Sequence, residues 1–159
     1  STLTRALAGA LGATVVPEYA RTWLEAFPDA LTAPDLEAIA RGQAASEDAL
    51  ARCAGFVVCD TDPLLTTVWA ERLLGAVPPG VAEHAARTYH HTLLLDVDLP
   101  WVQDPVRYLP DERHAFLAAC KSALDRAGRP WSLVSGVGEA RLAAALIALK
   151  LPSDPRPPG

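Results

Sequence analysis

Four short apolar runs constrain this chain most: "ATVV", "GFVVCD", "HTLLLDVD" and "WSLVSG". Each is only long enough for one strand, and stretches with helical periodicity separate them. A strand that is apolar on both faces is buried on both. The runs therefore read as strands of a mainly parallel sheet covered by helices on each side, a three-layer α/β architecture. Ligands of such sheets bind at the carboxyl ends of the strands, so the residues just after each run are where chemistry is expected.

The helices are announced by their caps and breakers. "STLTRALAGALGA" opens on capping residues and places Leu3, Ala6, Leu7, Ala10 and Leu11 on one face, with Gly12 as terminator. A helical stretch after "VPEYA" breaks at Pro28. Thr32, Pro34, Asp35 and Glu37 start a helix that runs to about Cys53. Helices are further expected from Pro63 to Leu74, from about Gly80 to Arg87, over "DERHAFLAACKSALDRAG" and over "GEARLAAALIALK". The tail "LPSDPRPPG" is proline-rich and reads as loose.

The bulk composition excludes several classes. The 159 residues are half apolar, with a net charge of -5 and basic residues that are scattered rather than massed. That is the wrong footprint for a nucleic-acid surface. No apolar run approaches the length of a membrane span, so a cytoplasmic protein without membrane partners is expected. Cys53, Cys59 and Cys120 have no CxxC spacing and read as buried thiols of a reducing compartment. His90 and His91 are adjacent, so on a strand they point to opposite faces and do not share a metal ion.

The strand ends are unusually polar. The first run leads to Glu18, Tyr19 and Arg21, the second to Asp60, Thr61 and Asp62, the third to Asp96 and Asp98, the fourth to Ser135 and Gly136. Asp62 before Pro63 is placed to cap the next helix. Asp60, directly after "FVVC", has the Walker B arrangement, in which a carboxylate holds magnesium or its waters. Its partner motif is the phosphate loop GxxxxGKS/T between a strand and a helix. No such motif occurs in the sequence. That motif's last residue opens the following helix, however, and this chain starts with Ser1 and Thr2 on a helix. The expectation is that a strand, the phosphate loop and its lysine precede Ser1.

The stretches "STLTRALA", "VPEYAR", "DLEAIARGQ", "VCDTDPLLTTVWAERLLG", "LLLDVDLPWVQDPVR" and "SGVGEARLAAA" span Ser1 to about Leu149. In order and spacing they resemble the ribosylnicotinamide kinase domain of NadR-type proteins, a P-loop group within the AAA-like ATPases. The resemblance implies a nucleoside-kinase-like P-loop domain over 1–151, N-terminally incomplete, with 152–159 as a flexible tail. It implies ATP and Mg2+ as cofactors and transfer of phosphate to the 5′-hydroxyl of nicotinamide riboside, a small-molecule partner. It leaves the oligomeric state open.

By that resemblance Ser1 supplies the metal-binding hydroxyl, with Thr2 beside it, and Asp60 orients magnesium through water. Glu18 accepts the hydroxyl proton or holds the ribose, as small nucleoside kinases generally use an acid there. Arg21 either pairs with Glu18 or reaches the phosphates. Asp62 and Thr66 face the sugar. Trp69, one turn beyond Thr66, either stacks on the pyridinium or fills the core, and Tyr19 and Trp23 are similar candidates. "PWVQDPVR" reads as a lid anchored by Trp101, with Arg107 and then Arg113 as its phosphate-reaching cations and Asp104 orienting Arg107. "SGVGEAR" lies beside the adenine with Gly136 permitting close approach, or is an ordinary turn.

Three functions compete on these residues. One is the riboside kinase, or a kinase of another nucleoside. The second is a regulatory P-loop ATPase or GTPase module with no metabolite substrate. The third is a degenerate, non-catalytic relative. Acids at several strand ends favour a small hydroxylated substrate over a switch, which needs only the metal acid and a mobile loop.

Overall fold

The computed structural model describes residues 1–28, 31–98 and 112–149. The elements run α1 (Thr2–Leu11), β1 (Thr14–Val16), α2 (Tyr19–Ala26), α3 (Ala33–Ala51), β2 (Val57–Cys59), α4 (Pro63–Leu74), α5 (Pro79–Ala85), β3 (Thr92–Leu95), α6 (Arg113–Arg126), β4 (Trp131–Val134) and α7 (Glu139–Leu149). The α/β alternation expected from the sequence is present, and the strands that pair do so in parallel.

Local chemistry explains the helix limits. Ser1 caps α1 through Thr4 N–H, and Gly12 ends it in the left-handed conformation at φ 61°. A capping box between Thr32 and Asp35 starts α3. Pro63 and Pro79 occupy first-turn positions of α4 and α5, where the missing N–H costs nothing.

Among the described residues the strands form two parallel pairs, β1 with β2 and β3 with β4. Between the pairs runs a cavity of about 670 Å³, lined by Val57, Val58 and Cys59 of β2 and by Thr92 to Leu95 of β3. Because β2 and β3 border that space, their residues are half-buried instead of sealed on both faces. The cysteines also differ from expectation. All three are free, but only Cys120 is buried, and Cys53 is exposed because α3 ends just before it.

The core sits in three places. Leu36, Ile39, Ala40, Ala70 and Val81 join α3, α4 and α5. Leu7, Val134 and Ala145 pack α1 and α7 against the sheets, with Val58, Leu93 and Leu95 alongside. Val68, Cys120 and Ala123 join α4 to α6. Both sheet pairs thus share one apolar layer with α1.

Candidate functional site

The first strand end delivers an acid. Val16 is fully buried, and two residues later Glu18 stands at the N-cap of α2 with extended backbone and no capping hydrogen bond. Its carboxylate therefore remains available at the positive end of a helix. Arg21 Nε lies 3.7 Å from Glu18 Oε2, one turn along.

The second strand end delivers two more. Asp60 N–H donates to the Val16 carbonyl at 2.8 Å, which carries the β1–β2 ladder one step past the strand. The Asp60 carboxylate meets the main-chain nitrogen of Ser1, so α1 begins beside it. Ser1 Oγ accepts Thr4 N–H at 3.2 Å and shares a 2.5 Å hydrogen bond with Thr4 Oγ1. Thr2 is exposed on the first turn. Thr61 then takes a left-handed conformation, φ 71°, the only such non-glycine residue among those described. That twist turns Asp62 into the N-cap of α4. Its Oδ1 accepts Leu64 N–H at 2.6 Å, and its Oδ2 pairs with Arg129 at 2.7 Å.

These ends surround two adjoining cavities. Glu18, Arg21, Gln43, Thr61, Asp62 and Thr66 give the smaller cavity its polar lining. Leu24, Leu31, Ile39, Leu65 and Trp69 complete it with apolar surface. Its volume is about 90 Å³. Trp69 is half-buried and held by Phe116, ring centroids 4.5 Å apart. The larger cavity is the one between β2 and β3, and it includes Ser1, Asp60 and Arg113. Thr61, Asp62 and Leu65 belong to both linings.

Five residues expected at a substrate site, Glu18, Arg21, Asp62, Thr66 and Trp69, thus line one cavity. Tyr19 does not line it: its ring lies over Gly42. Trp23 belongs to the core around Leu36 and Ile39, with its ring 4.9 Å from Phe27. Arg113 opens α6 and donates to the Val97 carbonyl at 3.2 Å. Gly136 has φ 101°, donates its N–H to Asp98 at 2.5 Å, and accepts Arg141 Nε at its carbonyl at 2.6 Å. That N–H, with the Arg141 guanidinium, holds the Asp98 carboxyl below the usual range. Trp101, Asp104 and Arg107 lie outside the described residues.

A polar cluster that the sequence did not single out borders both cavities. Gln43 and Glu47 are buried in α3, joined by a 3.1 Å hydrogen bond. Tyr89 O–H donates to Glu47 at 2.7 Å, and the Arg129 guanidinium sits 4.6 Å from the Tyr89 ring centroid. Burial raises the Glu47 carboxyl above its ordinary range, and burial also pushes the Cys59 thiol up to about 12. Such a thiol is no nucleophile near neutral pH. The available signal was register: Leu36, Ile39, Ala40, Gln43, Ala44 and Glu47 follow three- and four-residue steps, so both polar residues stand on the core stripe.

Asp60 and Ser1, both in the lining of the larger cavity, carry a carboxylate and a hydroxyl, oxygen donors of the kind Mg2+ takes together with several waters. Among the described residues no three His, Cys, Asp or Glu side chains converge into a closed metal cage.

Comparisons with known proteins bear on this geometry. A protein-family model described as an AAA domain matches residues 1–141. The crystal structure of a NadR protein in complex with NAD and AMP-PNP is similar at a TM-score of 0.73 and 24% sequence identity. The similarity covers 93% of this chain and 44% of that one, so the chain spans under half of that protein's length. The likeness shows a shared α/β fold. A comparison with curated proteins gave no match.

Proposed function

The chain belongs to the AAA domain family, and on that premise we propose that it transfers the γ-phosphate of ATP to the 5′-hydroxyl of nicotinamide riboside, giving nicotinamide mononucleotide. One observation carries the reading. An acid-edged, aromatic-walled cavity adjoins the cavity that holds Ser1 and Asp60, and the two share Thr61, Asp62 and Leu65. A kinase needs this adjacency, because phosphoryl transfer is mostly positioning and charge stabilisation.

The chemistry of the smaller cavity suits this substrate. Leu24, Ile39 and Leu65 favour a flat ring, and the Trp69 face favours a cationic one. With the ring against these apolar walls, the ribose lies toward Glu18 and Asp62 of the same lining. Glu18 accepts the proton of the attacking hydroxyl. Arg21, one turn along, orients Glu18. Asp62 already serves a helix cap and an arginine, so its carboxylate is fixed in place and accepts a sugar hydroxyl without reorganising.

In the larger cavity Ser1 and Asp60 would hold Mg2+, which when bound neutralises charge on the transferring phosphates.

The test is an assay of the full-length protein with ATP and a panel of ribosides, product read by chromatography. Nicotinamide mononucleotide is the expected product. Asp60→Asn and Glu18→Gln should each lower turnover by roughly 10²-fold or more, the scale of a lost acid–base or electrostatic group. Steady ATP hydrolysis indifferent to every riboside would overturn the reading in favour of a regulatory module.

A further inference from the structure

Gln43 joins the two strand ends that carry the chemistry. It is 2% exposed on α3. Its Oε1 accepts Tyr19 N–H at 2.9 Å, and Tyr19 directly follows Glu18. Its Nε2 donates to Glu47 at 3.1 Å and reaches the Thr61 carbonyl at 3.5 Å, and Thr61 directly follows Asp60. The amide has one orientation here, because its oxygen must face the Tyr19 N–H and its nitrogen the two acceptors. Both amide hydrogens are engaged within the protein, so none is left for a substrate.

The strands do not do this work. Cα pairing between β1 and β2 stops at Val16 with Cys59, and the last ladder bond is from Asp60 N–H to Val16. Past that point, Glu18 leaves into α2 and Thr61 leaves into α4. Thr61 also holds the left-handed conformation that a β-branched residue adopts only when its surroundings require it. A buried side chain from a third element, α3, spans the divergence. Glu47, itself bound by Tyr89 O–H at 2.7 Å, keeps the far side of the amide in place.

We propose that Gln43 is a positioning residue for phosphoryl transfer: by tying the Tyr19 N–H to the Thr61 carbonyl it fixes the separation between Glu18 and Asp60. The proposal rests on the functional reading above, in which those acids serve the nucleoside and the metal. Misplacement of two reacting groups by about 1 Å costs on the order of 10²-fold in rate, so the brace is felt in turnover before it is felt in ground-state binding.

The experiment compares the wild type with Gln43→Met, which keeps length and loses all three hydrogen bonds. Gln43→Glu is the second variant: it keeps the acceptor for Tyr19 N–H and turns a carboxylate toward Thr61 and Glu47. Turnover, nicotinamide riboside affinity by calorimetry, and hydrogen exchange at the Tyr19 amide are measured. For Gln43→Met, faster Tyr19 exchange, a 10- to 100-fold lower kcat and an affinity within about threefold are expected. Gln43→Glu should keep Tyr19 protection yet still lose turnover, and it carries the comparison where the methionine variant does not fold. Unchanged kcat in either variant overturns the proposal, and so does a loss of riboside affinity that accounts for the whole loss of kcat/KM. A wild-type protein that phosphorylates no riboside overturns the functional reading itself, and Tyr19 exchange then still reports whether the brace exists.

Discussion

Gly42 shows how single residues set this site. A Cβ placed there would sit 2.2 Å from Cε1 of Tyr19, so the ring lies where any other side chain would begin. Gly42→Ala should gain about 1 kcal/mol of helix preference but force Tyr19 aside, at roughly 1–3 kcal/mol of overpacking. Net destabilisation is expected in urea titrations, together with lower turnover because Glu18 precedes the displaced residue. Glu47 gives a pH signature. Burial raises its carboxyl in the folded chain above the ordinary value of 4.5, so the folded state holds its proton more tightly than the unfolded one. Its contribution to stability therefore declines as pH rises from about that value toward the raised one. Glu47→Gln should flatten the melting temperature against pH over that interval, and an unaltered slope would place the titration elsewhere. Neither residue was legible as functional in the sequence. A lone glycine in a helix reads as tolerated, and Gln43 and Glu47 read as helix surface until their register against Leu36 and Ile39 is counted.

At the scale of elements, the start of α4 depends on a partner far along the chain. Asp62 was legible as a cap because it precedes Pro63, and the structure has that cap at 2.6 Å from Leu64 N. Arg129 was not legible, since nothing in "AGRPW" signals a buried cation that bonds both Asp62 and the Ala85 carbonyl, each at 2.7 Å. Asp62→Ala should cost about 1 kcal/mol for the cap and about 3–5 kcal/mol for the arginine left buried without its counter-ion. Asp62→Asn keeps capping ability and should lose less, and adding Arg129→Met to it should restore stability, since no unpaired charge then remains. Equal losses for Asp62→Ala and Asp62→Asn would mean that the cap carries nothing. Strand identity was equally legible, because short β-branched and leucine runs flanked by helices admit one assignment. Strand pairing was not. Apolar runs reveal burial but not neighbours, so the pairing of β1 with β2 and of β3 with β4 came from the structure.

Across the whole molecule, under the proposed function, the separation of the two cavities divides binding from transfer. Glu18 lines only the smaller and Asp60 only the larger, while Thr61, Asp62 and Leu65 lie between them. The strand-end acids were visible in the sequence one by one. Their division between two spaces came from α3, which crosses behind both strand ends and which periodicity alone could not orient. The division has a thermodynamic consequence under the proposed function. A ligand that binds only the folded chain stabilises it by about 2.7 kcal/mol at a hundred times its dissociation constant. For a domain of this size that is a rise of roughly 5–10 °C in melting temperature. Nicotinamide riboside without ATP should produce such a rise in the wild type. Asp60→Asn should show nearly the same rise while making no product, because its carboxylate faces the other cavity. Glu18→Gln should lose both much of the rise and the product. A riboside shift abolished by Asp60→Asn but spared by Glu18→Gln would place the nucleoside in the larger cavity and reverse the roles of the two acids.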